Sequence, residues 1–403
     1  MSDVSADRIL APLENTTWRF GVLVASLSIM VLVFLYGWFL QLRHGLIVTG
    51  LGDWGTGGGA PWGLYIGTFV WWVGIAHGGI AISAAVKVFD VERFEPIARI
   101  AEVLTIIALM MSAFNIVVDL GHPERVFNTI VMLPSTIFHS PLAWDVTVVT
   151  LYLVLSATYL ILSMRQELAE YRDRLPGILQ PFYGLFLLGY RSEEDAKIDR
   201  MTWWLALAIL ALVPLLSGGV VPWLFALVSA QPGWYSASTG PLMLAESLTS
   251  AIAVVIIVAA GYRYAFDWDF IDRDVFRGLT VVLGFLTMVV TWLMLHKYLV
   301  GSYAPMLGQA SLIDAMFGSP VFTVVAGLLV AALLYMGLTV LARPGLFSIA
   351  GSVVASLFVT SAIWIEKVLF VVDGLLHPTS PPLASLYPSG IYVPTLTELV
   401  ITF

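Results

Sequence analysis

PWGLYIGTFVWWVGIAHGG, residues 61–79, is an apolar, aromatic-rich run that holds a single histidine, His77, between small residues. At 1.5 Å of rise per residue a helix of this kind crosses a hydrocarbon core of about 30 Å, and His77, 16 residues beyond Pro61, falls near its mid-depth. Two further phrases belong with it. DLGHPERVFN, residues 119–128, gathers two acids, a histidine and two further polar residues where an apolar run ends, and SPLAWDV, residues 140–146, opens the next run with Asp145 roughly 6 Å inside it. Ionisable groups inside apolar helices are expensive and mark function, so the three phrases outline a polar pocket within a membrane domain.

Composition supports that frame. Of 403 residues, 59% are hydrophobic and 11% charged, with a mean hydropathy of +0.91, which places the chain among polytopic, all-α membrane proteins. Cysteine is absent, which excludes disulfides, thiolate-held iron–sulfur clusters, covalently attached c-type haem and cysteine nucleophiles. The net charge of -8 comes without a basic run, and no nucleic-acid partner is expected. The polar, acidic stretch MSDVSADRILAPLENTTWRF is unlike a cleaved signal peptide, so the first helix is expected to be retained.

Nine apolar runs of spanning length lie near residues 18–42, 62–89, 97–119, 141–164, 201–230, 239–263, 277–300, 319–342 and 346–372. Fifteen of the 19 lysines and arginines fall on one side of these spans, the exceptions being Arg43, Arg125, Lys297 and Lys367. By the positive-inside rule that side, with the N-terminus, is cytoplasmic, in a prokaryotic cell membrane. The longer irregular segments, 43–60, 120–140, 301–318 and the tail from Asp373, then face outward, where loops cover a site or dock a partner. On the inner side, YGLFLLGY within the loop from Arg165 to Arg200 reads as a short interfacial helix or a plain linker. Spans two to five and six to nine share count and starting side, giving two parallel four-helix bundles, 61–235 and 236–373. An N-terminal segment with the first helix, 1–60, precedes them and an outer tail, 374–403, follows.

The candidate residues each carry two readings. His77 suits hydrogen bonding to a quinone carbonyl with proton exchange, or only a bond that links helices. Asp145 suits proton exchange, or a pair with Arg125 or Lys297. Glu102 and Glu246 are candidate relays on a proton pathway, Glu102 being equally readable as an interfacial acid near Arg99. His139, His296 and the Glu366–Lys367 pair read as structural groups at helix ends. A b-type haem needs paired histidines at matching depth; only His77 is deep, so no haem is expected.

VWWVGIAHGG, ARIAEVLTI, DLGHPERVF, SPLAWDV, YGLFLLGYR, ALVSAQPGW and IWIEKVLFVV followed by YVPTLTE resemble, in this order, the NrfD/PsrC family of quinone-interacting membrane subunits. The similarity extends from Trp62 to the end of the chain and looks closest to the ten-helix branch with the large membrane subunits of alternative complex III. It implies two four-helix bundles, no haem, metal or iron–sulfur cluster of the subunit's own, and a quinone such as menaquinone bound in the first bundle toward the outer face. A ferredoxin-like iron–sulfur subunit would dock there, with a molybdoenzyme or multihaem cytochrome as catalytic subunit and membrane lipid around the spans. Carried over by position, His77 and Asp145 form the quinone pair, Glu102 lies on the cytoplasmic proton route, and Asp119 and His122 occupy a phrase that differs in some relatives. Because His77 is about 15 Å deep and Asp145 about 6 Å, either the second helix is shifted outward or an ordered water or a residue such as Tyr65 is expected to bridge them. The relatives also continue beyond the point where YVPTLTELVITF turns apolar, which implies a tenth helix cut short. The competing reading of the same intramembrane groups is a secondary transporter or ion channel.

Overall fold

The computed structural model describes residues 17–51, 62–175, 177, 179–228, 231, 233–303, 309–376 and 392–403. The GTGGG loop, the acidic N-terminal stretch, the proline- and serine-rich tail at 377–391 and the middle of the ALVSAQPGW phrase lie outside the described residues. All regular structure among the described residues is helical, and nine helices are long and apolar enough to cross a membrane.

In chain order the helices are α1 (Trp18–His44), α2 (Leu64–Phe89), α3 (Glu95–Asp119), α4 (Val126–Thr136), α5 (Pro141–Tyr171), α6 (Gln180–Phe186), α7 (Asp195–Leu215) and α8 (Val221–Ala226). They continue as α9 (Thr239–Phe266), α10 (Arg273–Tyr303), α11 (Gln309–Phe317), α12 (Pro320–Met336), α13 (Ile349–Leu376) and α14 (Leu396–Thr402). The expected spans are present within a few residues, and YGLFLLGY contributes to the short α6. The segments 120–140 and 301–318, expected to be irregular and outward-facing, carry α4 and α11. Both are short apolar helices. Prolines 123 and 141 bracket the first, where proline sets a helix start and tolerates the missing donor.

α7 and α8 belong to one membrane span interrupted by a π turn, Leu216–Val220, in the sequence PLLSGGVVP. Pro214 and Pro222 lack the N–H groups that would bond the carbonyls of residues 210 and 218, and two glycines between them accept the wider turn. α12 likewise ends in a π turn, Gly337–Ala342.

α2 is the axis of the molecule. It contacts α3, α7, α9 and α13, and its buried residues run from Leu64 to Ala84. Glycines admit these neighbours: a Cβ on Gly67 would stand 2.7 Å from the Val368 Cα of α13, and one on Gly79 would stand 2.7 Å from Thr105 Oγ1 of α3. At Gly78 it would meet Ser247 O and Ala251 Cβ of α9 at 2.5 Å. Small residues let membrane helices approach until dispersion holds them, as no hydrophobic force acts between helices in lipid. α1 stands apart, largely exposed, and touches α9 and α14.

One end of the helices is tied by basic side chains: Lys87 pairs with Asp199 at 3.3 Å, Arg99 with Glu167 at 2.7 Å, and Arg93 and Arg273 donate to the carbonyls of Asp274 and Phe347. At the opposite end Glu398 closes a capping box on Thr395 and accepts from Gly50 N–H at 2.6 Å and from the Tyr392 hydroxyl at 2.8 Å. Tyr392 in turn accepts from Leu64 N–H at 2.8 Å, which fixes the start of α2. Burial, then the charge of Glu398, raise the Tyr392 phenol above its ordinary range, so it remains a donor.

The close α2–α9 contact makes a prediction. Gly78→Ala forces a methyl group into the α9 backbone and is expected to destabilise by about 1–3 kcal/mol. Gly327→Ala, with nothing near its added Cβ, is expected to be neutral or slightly stabilising. Thermal unfolding of both variants in detergent checks this; equal melting temperatures would contradict the tight α2–α9 approach.

Candidate functional site

α2 carries His77 to a fully buried position where three elements meet. Its Nδ1 lies 2.7 Å from the Ser217 hydroxyl, which the π turn turns toward it. The Tyr152 ring of α5 stands against the imidazole, centroids 4.6 Å apart at 74°. Nε2 is buried with no hydrogen-bond partner among the described residues. Beside the ring is a cavity with about 310 Å³ of empty space, mouth included, lined from the first bundle by Val70, Trp71, Gly74, His77 and Ser217. Its far wall is α9 and α13, with Met243, Glu246, Ser247, Ser250, Ile363 and Lys367. A neutral imidazole has one donor and one acceptor, so Ser217 engages one ring nitrogen and leaves the other for whatever enters.

The far wall is charged. Lys367 Nζ is ion-paired with Glu246 Oε2 across the α9–α13 contact and lies 3.0 Å from Glu366 Oε2 on its own helix. All three side chains are buried. Lys297 of α10 places its Nζ 4.5 Å from the centroid of the Phe370 ring and near enough to both carboxylates to act on them electrostatically. Two acids and two lysines thus make a neutral group in a medium where an isolated charge is not tolerated. The adjacent Glu366 and Lys367, expected as a self-neutralising pair at a helix end, are instead buried within α13, and Lys367 pairs with Glu246 as well as approaching Glu366. The pairing of Glu246 with Lys367, 121 positions apart, has no signature in local spacing.

Asp145 is fully buried on α5, and neither carboxylate oxygen has a hydrogen-bond partner among the described residues; no pair with Arg125 or Lys297 forms. It does not line the His77 cavity. Tyr152, whose ring packs on His77, lies two turns further along the same helix face as Asp145. The same face continues through Ser156 and Tyr159 to Ser163, and Tyr159 lies against Ser83. Ser83 donates to Glu102 Oε1 at 2.6 Å, and Arg99 Nη1 binds Glu102 Oε2 at 2.5 Å, so Glu102 has the arginine partner of its structural reading. It also ends a stripe of hydroxyls that begins at Asp145.

The remaining candidates lie elsewhere. The Tyr65 hydroxyl donates to Gln41 Oε1 at 2.6 Å, and Gln41 Nε2 donates to Val118 O at 2.8 Å, tying α1, α2 and α3. Asp119 is next in that cluster, with Oδ1 buried and without a partner among the described residues. His122 is at the surface, 3.0 Å from Glu124 Oε1, and lines neither described cavity. His296 stacks on Trp292 at the surface of α10. Ser217 and Tyr152, which touch the His77 ring, were not singled out from the sequence. The PLLSGGVVP pattern was the available signal for Ser217, while Tyr152 had only its seven-residue offset from Asp145.

The fold and site together define a multi-pass helical membrane protein with a polar cavity at the junction of two helix groups. The family profile described as "Polysulphide reductase, NrfD" matches residues 54–375. The chain belongs to this family. It is 31% identical over 72% of its length to a putative dimethyl sulfoxide reductase membrane subunit of Halobacterium salinarum, and 26% identical over 69% to a selenate reductase subunit of Mesobacillus selenatarsenatis. Against the Hdr-like menaquinol oxidoreductase integral membrane subunit of Archaeoglobus fulgidus it is 21% identical over 74%. The match spans 65% of each relative's own length.

The buried ion pair is testable apart from any activity. Glu246→Ala leaves Lys367 with one carboxylate and is expected to cost about 3–5 kcal/mol, read as a lowered melting temperature. Glu246→Gln with Lys367→Met removes both charges and is expected to recover most of that loss. A double variant no more stable than Glu246→Ala would show that the two side chains are not coupled.

Proposed function

We propose that this chain is the membrane subunit of a respiratory oxidoreductase complex and that the cavity beside His77 receives the head group of a quinone or quinol. The observation that carries this reading is the buried Nε2 of His77, without a hydrogen-bond partner among the described residues, beside a cavity among the spanning helices. A neutral imidazole there can bond a carbonyl or hydroxyl and pass a proton. The head group would enter past the half-buried Trp71, with its apolar tail left outside. When bound, a quinone supplies two-electron, two-proton chemistry; the residues supply position and proton exchange. Ser217 orients the His77 ring, Tyr152 packs its face, and Asp145 exchanges protons with the end bearing α4 and α11.

By the distribution of basic residues that end faces away from the cytoplasm, with the N-terminus inside. An iron–sulfur subunit docks there over 120–140 and 301–318, and a molybdoenzyme or multihaem catalytic subunit completes the complex. What supports this is the family and its relatives, which bear the names of reductase membrane subunits. A secondary transporter would use the same intramembrane groups, and the π-broken span at Ser217 is the feature that favours it. Purification separates the two readings, since a redox subunit brings iron-bearing partners with it. Cross-links from the iron–sulfur partner are expected on 120–140 and 301–318; cross-links confined to 165–200 would reverse the topology.

His77→Ala removes one hydrogen bond of about 0.5–1.5 kcal/mol and is expected to weaken binding of a quinone analogue about 2- to 13-fold and to slow turnover. Asp145→Asn is expected to leave binding near the parental value and slow turnover roughly 10²- to 10⁴-fold. Both variants retain assembly. The measurement is quinone-linked electron transfer by the purified complex with analogue binding in parallel, and parental behaviour in both variants would remove the site from this cavity.

A further inference from the structure

The four-charge cluster is not closed on itself. Lys367 satisfies one oxygen of Glu246 and stands 3.0 Å from Glu366 Oε2, but Glu246 Oε1, Glu366 Oε2 and Lys297 Nζ are all buried with no hydrogen-bond partner among the described residues. Glu246 and Lys297 each line a cavity of their own. Glu246, with Lys367, lines the His77 cavity. Lys297 lines a second cavity of about 350 Å³ of empty space, whose other walls include Ser236, Ser238, Gly301 and Met316. The Ser236 and Ser238 hydroxyls are 2.8 Å apart at the loop leading into α9, at the end of the helices that bears α11.

A buried ion-pair group built for stability alone leaves its polar atoms satisfied, because each orphaned donor or acceptor costs free energy and a buried pair barely offsets its own desolvation. Here one oxygen of each carboxylate and the Lys297 ammonium are left without a hydrogen bond, and Glu246 and Lys297 line space that admits water. Water needs a polar, roomy site with partners, which both cavities provide.

We propose that Glu246, Lys367, Glu366 and Lys297 form a proton route through the second helix group, joining the His77 cavity to the second cavity at Ser236 and Ser238 and so to the surface at the α11 end. The inference rests on the reading of the His77 cavity as a quinone site. Oxidation of a hydroquinone there breaks two O–H bonds, passes two electrons to the iron–sulfur partner, and gives up two protons. Glu246 accepts a proton in the cavity and Lys297 delivers one to the far side; reduction of a quinone runs the same groups in reverse. Lys367 holds the two carboxylates together, so a proton arriving on one weakens its pair and favours transfer along the group. Neutrality of the whole is kept because each proton that enters is matched by one that leaves. The route is separate from Asp145, which does not line the His77 cavity.

The test uses the purified complex in liposomes, with a fluorescent heptyl hydroxyquinoline N-oxide as binding probe and a pH-sensitive dye on the α11 side. Lys297→Met is expected to bind the probe with parental affinity, to turn over roughly 10²-fold more slowly, and to show an enlarged solvent deuterium effect as proton transfer becomes limiting. Because Lys297→Met alone strands a negative charge, the neutral pair Glu366→Gln with Lys297→Met is made alongside it. The same loss of rate and of proton appearance is expected there with the partners still bound. Parental turnover and parental proton appearance in the neutral pair would overturn the route. His77→Ala with unchanged probe affinity would instead overturn the cavity assignment on which it rests, so the two failures are told apart.

Discussion

The structure depends on how closely α2 can be approached. A helix in lipid gains nothing from hiding apolar atoms, so its neighbours stay only if their backbones come near enough for dispersion to act over many atoms. Glycines 67, 78 and 79 present α2 to α13, α9 and α3 on three different faces. That geometry brings His77 of the first helix group within one cavity of Glu246 and Lys367 of the second. A looser arrangement would admit lipid between the groups and separate the charges that now share a wall.

Low dielectric then decides how the polar groups are arranged. A charge in the membrane interior is kept by pairing, by hydration or by function. Arg99, Glu102 and Glu167 use pairing at the basic end, where water also reaches them. The cluster of Glu246, Glu366, Lys367 and Lys297 reaches neutrality by matching two acids to two bases. Asp145 has no partner of either kind among the described residues, and it is the group most in need of a ligand, a water or a proton.

The π turn at Leu216–Val220 links fold and site. An unbroken helix would keep its carbonyls bonded and a 3.6-residue face toward α2; the wider turn between two prolines rotates that face and delivers the Ser217 hydroxyl to His77. The turn is tolerated because neighbouring helices cover it, Gly240 of α9 coming close to the Gly218 carbonyl.

The spans, their order and their bounds to within a few residues were legible in the sequence, because about twenty consecutive apolar residues have no other stable use and because proline and charge punctuate them. The place of His77 midway along a spanning helix followed from the same counting. The helices α4 and α11 were hidden in segments whose proline and polar residues read as loops. Which buried groups face one another was decided by tertiary structure alone. Glu246 and Lys367 sit 121 positions apart, and whether they meet depends on the rotation of α9 and α13 about their axes. That rotation is fixed by where small residues let backbones touch. For the same reason Ser217 and Tyr152 meet His77: helical periodicity tells which residues share a face, but only contact with a neighbour tells what that face meets.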